Sequence, residues 1–318
     1  MAGATEGQTD VQYLGLLALA LIALIAGLVI HSFIIGVNVT DWWKGRSVTP
    51  VDHIVTSLGV SRMCTQCIIT LYWYMDTLFL KRSQYSHKVF IFTEAVYAFF
   101  TYANIWLTSL LSIVFCLKIS NLHSRLFLYL RGVVEHRTVY FIVVTVLLSA
   151  FTSLMYFSMA MTRVLEDATY NTTMHSVYII SIYNYTSGVF FPLLFYCISS
   201  VLLFTSLYHH TSKMKMSINS SINLETYYSV MKFVFLTFIC NTLYLTAHFI
   251  CLFYYYFYFV QLPWLYIVLD SLPALHSSYL IYRTPKLRNW MSKILQNVTD
   301  FLTQRKDVEA RENIEMVA

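Results

Sequence analysis

Seven stretches of this chain are nearly free of charge and long enough to cross a lipid bilayer, near residues 13–37, 51–74, 89–117, 138–160, 187–208, 230–254 and 261–282. A helix needs about 20 predominantly apolar residues to span the hydrocarbon core. Lipid cannot hydrogen-bond a backbone, so such segments fold as helices that pair their N–H and C=O groups internally. Of the 318 residues, 58% are hydrophobic and 12% are charged, against roughly 25% charged in soluble domains. One soluble core of this length cannot hide so much apolar surface, and the surplus must face lipid. The expected fold is an all-α membrane protein, a bundle of seven transmembrane helices. The first, fourth and fifth spans are the clearest. The second holds Asp52 and Arg62, and the seventh is interrupted by Asp270 and Pro273.

The basic residues orient the bundle. With the N-terminus outside, the outer segments hold Lys81, Arg82, Lys88 and Arg163, and Arg62 lies within a span. The other sixteen of the 21 Lys and Arg fall in the cytosolic loops and tail. Cytosolic loops carry the excess of Lys and Arg, so the N-terminus is expected outside and the C-terminus in the cytosol. The net charge of +5 then reports membrane sidedness, and no nucleic-acid partner is expected. The organisation expected is a short outer segment (1–12), one seven-helix domain (13–283) and a cytosolic tail (284–318). The first span lacks the charged start and small-residue cleavage site of a removed leader and reads as a retained signal anchor. The tail opens Pro285-Lys286-Leu287-Arg288 and continues with basic and apolar residues at helical spacing, suiting a short helix on the membrane surface. Beyond Thr303 its polar composition predicts disorder.

No catalytic or metal-binding pattern is present. The chain has no H-E-x-x-H, G-x-S-x-G or phosphate-loop motif, and no enzyme activity, metal or cofactor is expected. All six cysteines lie within or at the ends of predicted spans. Cys64 and Cys67 have C-x-x-C spacing, but without a second pair they read as buried thiols. Asn171-Thr172-Thr173 is a glycosylation sequon in the long outer loop expected at 161–186; a second, at Asn184, lies close to the fifth span.

Polar residues at membrane depth are the candidates for function. Arg62 sits near the middle of span two, where a charge must face the bundle interior and find partners. His31 on span one and His276-Ser277 on span seven lie at matching depth. A network of these residues could switch the bundle between states or clamp it permanently, and the sequence leaves both open. Pro192 and Pro273 interrupt the backbone bonding of spans five and seven. The outer halves of the spans are rich in aromatic residues. Tyr97 and Tyr244, deeper in their spans, suit an apolar pocket with hydroxyl handles. Tyr254 to Tyr258 suit the interfacial aromatic belt.

Several blocks of sequence, in order and at compatible spacing, resemble the bitter taste receptors (taste receptor type 2). They include Asn38-Val39-Thr40-Asp41-Trp42-Trp43-Lys44, Leu58-Gly59-Val60-Ser61-Arg62, Trp106-Leu107-Thr108-Ser109-Leu110, Leu117-Lys118-Ile119-Ser120-Asn121, Leu203-Phe204-Thr205-Ser206-Leu207 and His276-Ser277. Departures mark a divergent member: His31 and Thr101 replace Asn, Cys116 replaces Tyr, and Thr284 replaces Asn. The resemblance implies a G-protein-coupled receptor in the plasma membrane, with bitter small molecules as agonists and a gustducin-like or Gi-type heterotrimeric G protein as partner. By matching positions it implies a ligand site at Trp73, Tyr97, Thr101, Tyr102, Tyr185, Tyr244 and Tyr266. It also implies G-protein-facing residues Lys118, His123, Arg125, His210 and Lys213. A vomeronasal-type receptor is the neighbouring alternative, although the outer-loop cysteine usual there is missing. A small transporter or channel would give flux without a G protein, and the chain shows no internal repeat of the kind transporters carry.

Overall fold

The computed structural model describes residues 2–79, 87–120, 125–166, 170–215, 221–258 and 262–315. Its helices are α1 (Ala2–Trp43), α2 (Pro50–Phe79), α3 (His87–Ile119), α4 (Arg125–Glu166), α5 (Tyr170–Lys215), α6 (Ser221–Tyr258), α7 (Pro263–Arg283) and α8 (Pro285–Glu315). The chain divides into two compact units, Met1–His276 and Ser277–Ala318.

Within the first unit α3 packs on α2, α4 and α5, while α1 packs on α2 and α6 on α5. Among the described residues six helices are long and apolar enough to cross a membrane: Leu14–Trp43, Pro50–Leu71, Lys88–Ile119, His136–Leu165, Ile179–His209 and Val230–Tyr254. They coincide with the first six charge-poor runs of the sequence. Their exteriors are apolar, as at Leu19, Ile22, Leu147, Phe151 and Val201. Small hydroxyl side chains tie the helices to one another's carbonyls: Ser61 Oγ donates to Phe100 O at 2.9 Å, and Ser109 Oγ to Pro192 O at 2.9 Å. Such bonds average about 0.6 kcal/mol in a membrane bundle, so they set register more than stability.

The helix ends follow local rules. Thr49 caps α2 and Asp52 closes the box: Thr49 N donates to Asp52 Oδ2 at 3.0 Å, and Asp52 N to Thr49 Oγ1 at 3.2 Å. Pro50 takes the first helical position, where its missing N–H costs nothing. Gly45 ends α1 with φ of 65°, a conformation glycine adopts without a Cβ clash. Just beyond, Arg46 pairs with Asp41 at 2.9 Å. Gly188 lets α5 approach closely: a Cβ there would lie 2.8 Å from Tyr102 Cε1 and 2.9 Å from Thr152 Cγ2.

Three expectations are corrected. The outer loop expected at 161–186 is largely helical, because α4 continues to Glu166 and α5 begins at Tyr170. Val177 on that early part of α5 is buried with Ile91, Ala95, Tyr156 and Ala160, and this apolar contact outweighs the polar loop composition. Cys67 is exposed and Cys64 half-buried, so neither is a buried thiol; Gln66, one position earlier, takes the inward face and turns Cys67 outward. The terminal helix is not short, and α8 runs past Thr303 to Glu315. Residues 303–315 contain no Gly or Pro and are rich in strong helix formers such as Arg305, Lys306, Glu309, Ala310 and Arg311. Earlier along α8, Ile294, Leu295, Val298 and Phe301 are exposed, the apolar residues that a surface-lying helix would present to a membrane.

Candidate functional site

Tyr97, Thr101 and Tyr102 follow one another along α3, and all three are buried. From α5 comes Tyr185, whose ring centroid lies 6.5 Å from that of Tyr102. The α6 residue between them is His248. It stacks on Tyr185 at 4.3 Å with planes 21° apart, and on Tyr97 at 5.8 Å with planes 11° apart. Tyr97 Oη stands 3.4 Å from His248 Nδ1, and the Tyr244 ring centroid lies 6.4 Å from the imidazole. Tyr97, Tyr185 and Tyr244, from α3, α5 and α6, therefore meet at His248, and Tyr102 joins the cluster through Tyr185. Asn184 Nδ2 donates to Tyr102 Oη at 2.8 Å. Asn184 is itself buried. Trp73 and Tyr266 lie on α2 and α7, with side chains outside the described residues. Tyr183, Tyr254 and Tyr258 are exposed.

One level further along the helices is a polar layer. Arg62 is buried, and its Nη1 meets His276 Nδ1 at 2.9 Å and donates to Pro273 O at 3.4 Å. Both acceptors are on α7, so Arg62 ties α2 to α7. Pro273 sits inside α7. Nearer the start of α7, Gln66 Nε2 donates to Asp270 O at 2.6 Å, and Thr70 Oγ1 to Asp270 Oδ2 at 3.2 Å. His31 is fully buried, but among the described residues its ring makes no hydrogen bond to Arg62 or to any other group. Ser277 is buried and opens the second unit. Pro192 is buried in α5, where its carbonyl receives Ser109.

Between the aromatic and polar layers lies a partly open cavity. Its polar lining comes from Arg62, Asn104, Thr108, Tyr196, Asn241, Tyr244 and His276, and its apolar lining from residues such as Ile105, Leu193 and Leu272. The cavity together with its open mouth measures about 500 Å³, but the centre of a water molecule can move through only about 30 Å³ of it. Of the expected ligand residues, Tyr244 lines this cavity; Tyr97, Thr101, Tyr102 and Tyr185 do not. At the far end of α3, Lys118 is exposed, and Arg125 is exposed at the start of α4. His210 and Lys213 lie on α5 with side chains outside the described residues, as does His123 entirely. Asn171 lies in the first turn of α5, and its side chain is also outside them.

His248 and Asn104 escaped the sequence reading. A signal for His248 was available, because Tyr244, His248 and Cys251 recur at one-turn spacing on a single face of α6. Nothing local marks Asn104, which gains meaning from what stands opposite it on other helices.

The family model Taste receptor protein (TAS2R) matches residues 9–299. The chain belongs to the TAS2R family. Over 305 residues this TAS2R chain is 25% identical to taste receptor type 2 member 64 of Pan paniscus, covering 88% of the chain and 93% of that protein. It is 36% identical to putative taste receptor type 2 member 36 of Homo sapiens over 113 residues, 36% of each. With taste receptor type 2 member 3 of Rattus norvegicus it shares 33% identity over 134 residues, covering 41% of the chain and 39% of that protein. The alignment with the human protein thus spans little more than a third of that relative's length. A TAS2R chain with long apolar helices is a multi-pass membrane protein of a receptor family.

Proposed function

We propose that this protein is a G-protein-coupled receptor for bitter small molecules, with seven spans, an outer N-terminus and a place in the plasma membrane. The supporting observation is the meeting of α3, α5 and α6 in one aromatic cluster within a TAS2R chain. α7 supplies the seventh span, its 21 residues being long enough to cross. Agonists bind among Tyr97, Thr101, Tyr102, Tyr185 and Tyr244, with Trp73 and Tyr266 completing the site. Burying apolar ligand surface contributes about 25 cal/mol per Å², and the hydroxyls orient what is bound. The rings are closely packed, so an agonist selects a conformation in which they have parted. It can shift the receptor only by its preference for that conformation. Lys118, His123, Arg125, His210 and Lys213 then face a gustducin-like or Gi-type G protein.

The test is calcium release in cells expressing the receptor with a promiscuous gustatory-type Gα, screened against a bitter-compound library. Agonist-dependent release is expected, and silence of a surface-expressed receptor toward every compound would sink the proposal. Tyr97→Ala and Tyr244→Ala should each raise the agonist EC50 about tenfold, equivalent to ~1.4 kcal/mol, with surface level unchanged. Unchanged potency in both variants would remove the site from these helices. The orientation has its own check: glycosidase should increase the gel mobility of the wild type but not of Asn171→Gln. An identical shift in both would place the sugar elsewhere.

A further inference from the structure

Two residues that line the cavity between the aromatic and polar layers carry polar atoms without a hydrogen bond among the described residues: Asn104 Oδ1 on α3 and His276 Nε2 on α7. Both residues are more than nine-tenths buried. Their characters are complementary. The Asn104 oxygen can only accept. His276 Nδ1 meets Arg62 Nη1 at 2.9 Å, and a guanidinium only donates, so the imidazole proton sits on Nε2 and that nitrogen is a donor. Other polar lining groups are committed elsewhere. Arg62 is engaged by His276 Nδ1 and Pro273 O, Asn241 Nδ2 donates to Tyr196 Oη at 3.1 Å, and the Tyr244 hydroxyl is directed to Thr101 and Tyr97. Buried polar groups are paired in folded proteins, with protein or with an ordered occupant. An acceptor on one helix and a donor on another mark a place for a group that supplies both roles.

The cavity shares its wall with the aromatic cluster. Ile105, Leu193 and Leu245 line it and also pack in the cluster around Tyr102 and Tyr185, and Tyr244 belongs to both. An agonist among the rings therefore has this cavity as its neighbour. We infer that the cavity is the inner subsite of the agonist pocket and takes a neutral hydroxyl, phenolic or alcoholic, through Asn104 Oδ1 and His276 Nε2. This rests on the receptor reading proposed above. One hydroxyl oxygen donates its proton to Asn104 Oδ1 and accepts the proton of His276 Nε2. A carboxylate would set its oxygens against the Asn104 oxygen, and an ammonium would face the Arg62 guanidinium in a low-dielectric interior. The size agrees, since about 30 Å³ exceeds the roughly 10–15 Å³ that one water-sized sphere requires. That admits a hydroxyl while the body of the agonist stays among the rings. Before agonist enters, one water makes the same two bonds. A hydroxyl that displaces it reproduces both, whereas a methyl ether cannot donate and loses one.

The experiment compares neutral phenols of the bitter-compound library with their methyl ethers, by calcium release from the full-length receptor and from Asn104→Leu at matched surface level. In the wild type each agonist phenol should have an EC50 about tenfold below that of its ether, the scale of one hydrogen bond to a buried polar group. In Asn104→Leu the phenol should weaken about tenfold and the ether less than threefold, so that the preference disappears. A merely structural defect would weaken both compounds alike and leave the preference in place. Equal potencies of phenol and ether in the wild type would overturn the subsite and leave the receptor assignment standing. So would an undiminished preference in Asn104→Leu, or a set of agonists none of which carries a hydroxyl. Silence toward every compound would overturn the receptor assignment and the subsite with it. If Asn104→Leu does not reach the surface, Asn104→Ala, which removes the amide without adding bulk, takes its place with the same expected loss of preference.

Discussion

Arg62→Ala should lower surface expression several-fold and leave the receptor that does reach the surface unresponsive to agonist. The side chain is buried and ties α2 to α7 through His276 Nδ1 and Pro273 O. Alanine removes the donor and strands an acceptor nitrogen in an apolar interior. Each buried polar group left without its partner costs about 1–3 kcal/mol, a large fraction of the few kcal/mol by which native states are favoured. Arg62→Lys should recover part of the surface level, because it keeps the charge but replaces a planar fork with a single ammonium. Surface immunolabelling and calcium release, measured on the same cells, separate a folding clamp from a switch. A clamp loses both together, whereas a switch loses signalling at a preserved surface level. Normal values for both in Arg62→Ala would show that the α2–α7 tie is dispensable.

His248→Ala should raise agonist EC50 about tenfold, comparable to the loss in Tyr97→Ala. The imidazole is the common face against which Tyr185 and Tyr97 stack, and aromatic pairs contribute about 0.5–1.5 kcal/mol each beyond the area they bury. Removing the hub releases both tyrosines from their rotamers, so an agonist must order them itself. His248→Phe preserves the stacking and loses the 3.4 Å approach of Tyr97 Oη to Nδ1, and its EC50 should move less than threefold. Dose–response curves at matched surface expression give the comparison. A larger loss in His248→Phe than in His248→Ala would show that the nitrogen matters rather than the ring, and no change in either would place agonists away from this cluster.

The helices were legible because bilayer thickness imposes a minimum length and lipid forbids unpaired backbone. A charge-poor run such as 89–117 therefore has one physical solution, and α3 runs from His87 to Ile119. The join at Arg137, where α4 departs from helical backbone, also falls beside the predicted start of the fourth run at 138. The segment at 161–186 was misread because its composition is that of a loop, whereas Val177 finds a buried partner surface on α3 and α4. Cys67 was misread because C-x-x-C spacing carries no information about which face of α2 turns inward.

Depth along the membrane is a one-dimensional property, and residue order alone placed Arg62 and His276 at a common level. Which of two candidate histidines bonds the guanidinium depends on rotation about helix axes and on interhelical distance. The fold selects His276 and leaves His31 buried without a hydrogen bond among the described residues. For the same reason Tyr97 and Tyr244 could be read as pocket residues one helix at a time, while His248 at their centre and Asn104 in the cavity wall could not. Their roles arise from side chains that face them across 151 residues of chain in the first case, and from four other helices in the second. Hydropathy and charge settle which segments enter the membrane; the packing of those segments against one another settles which polar atoms meet and which are left seeking a partner.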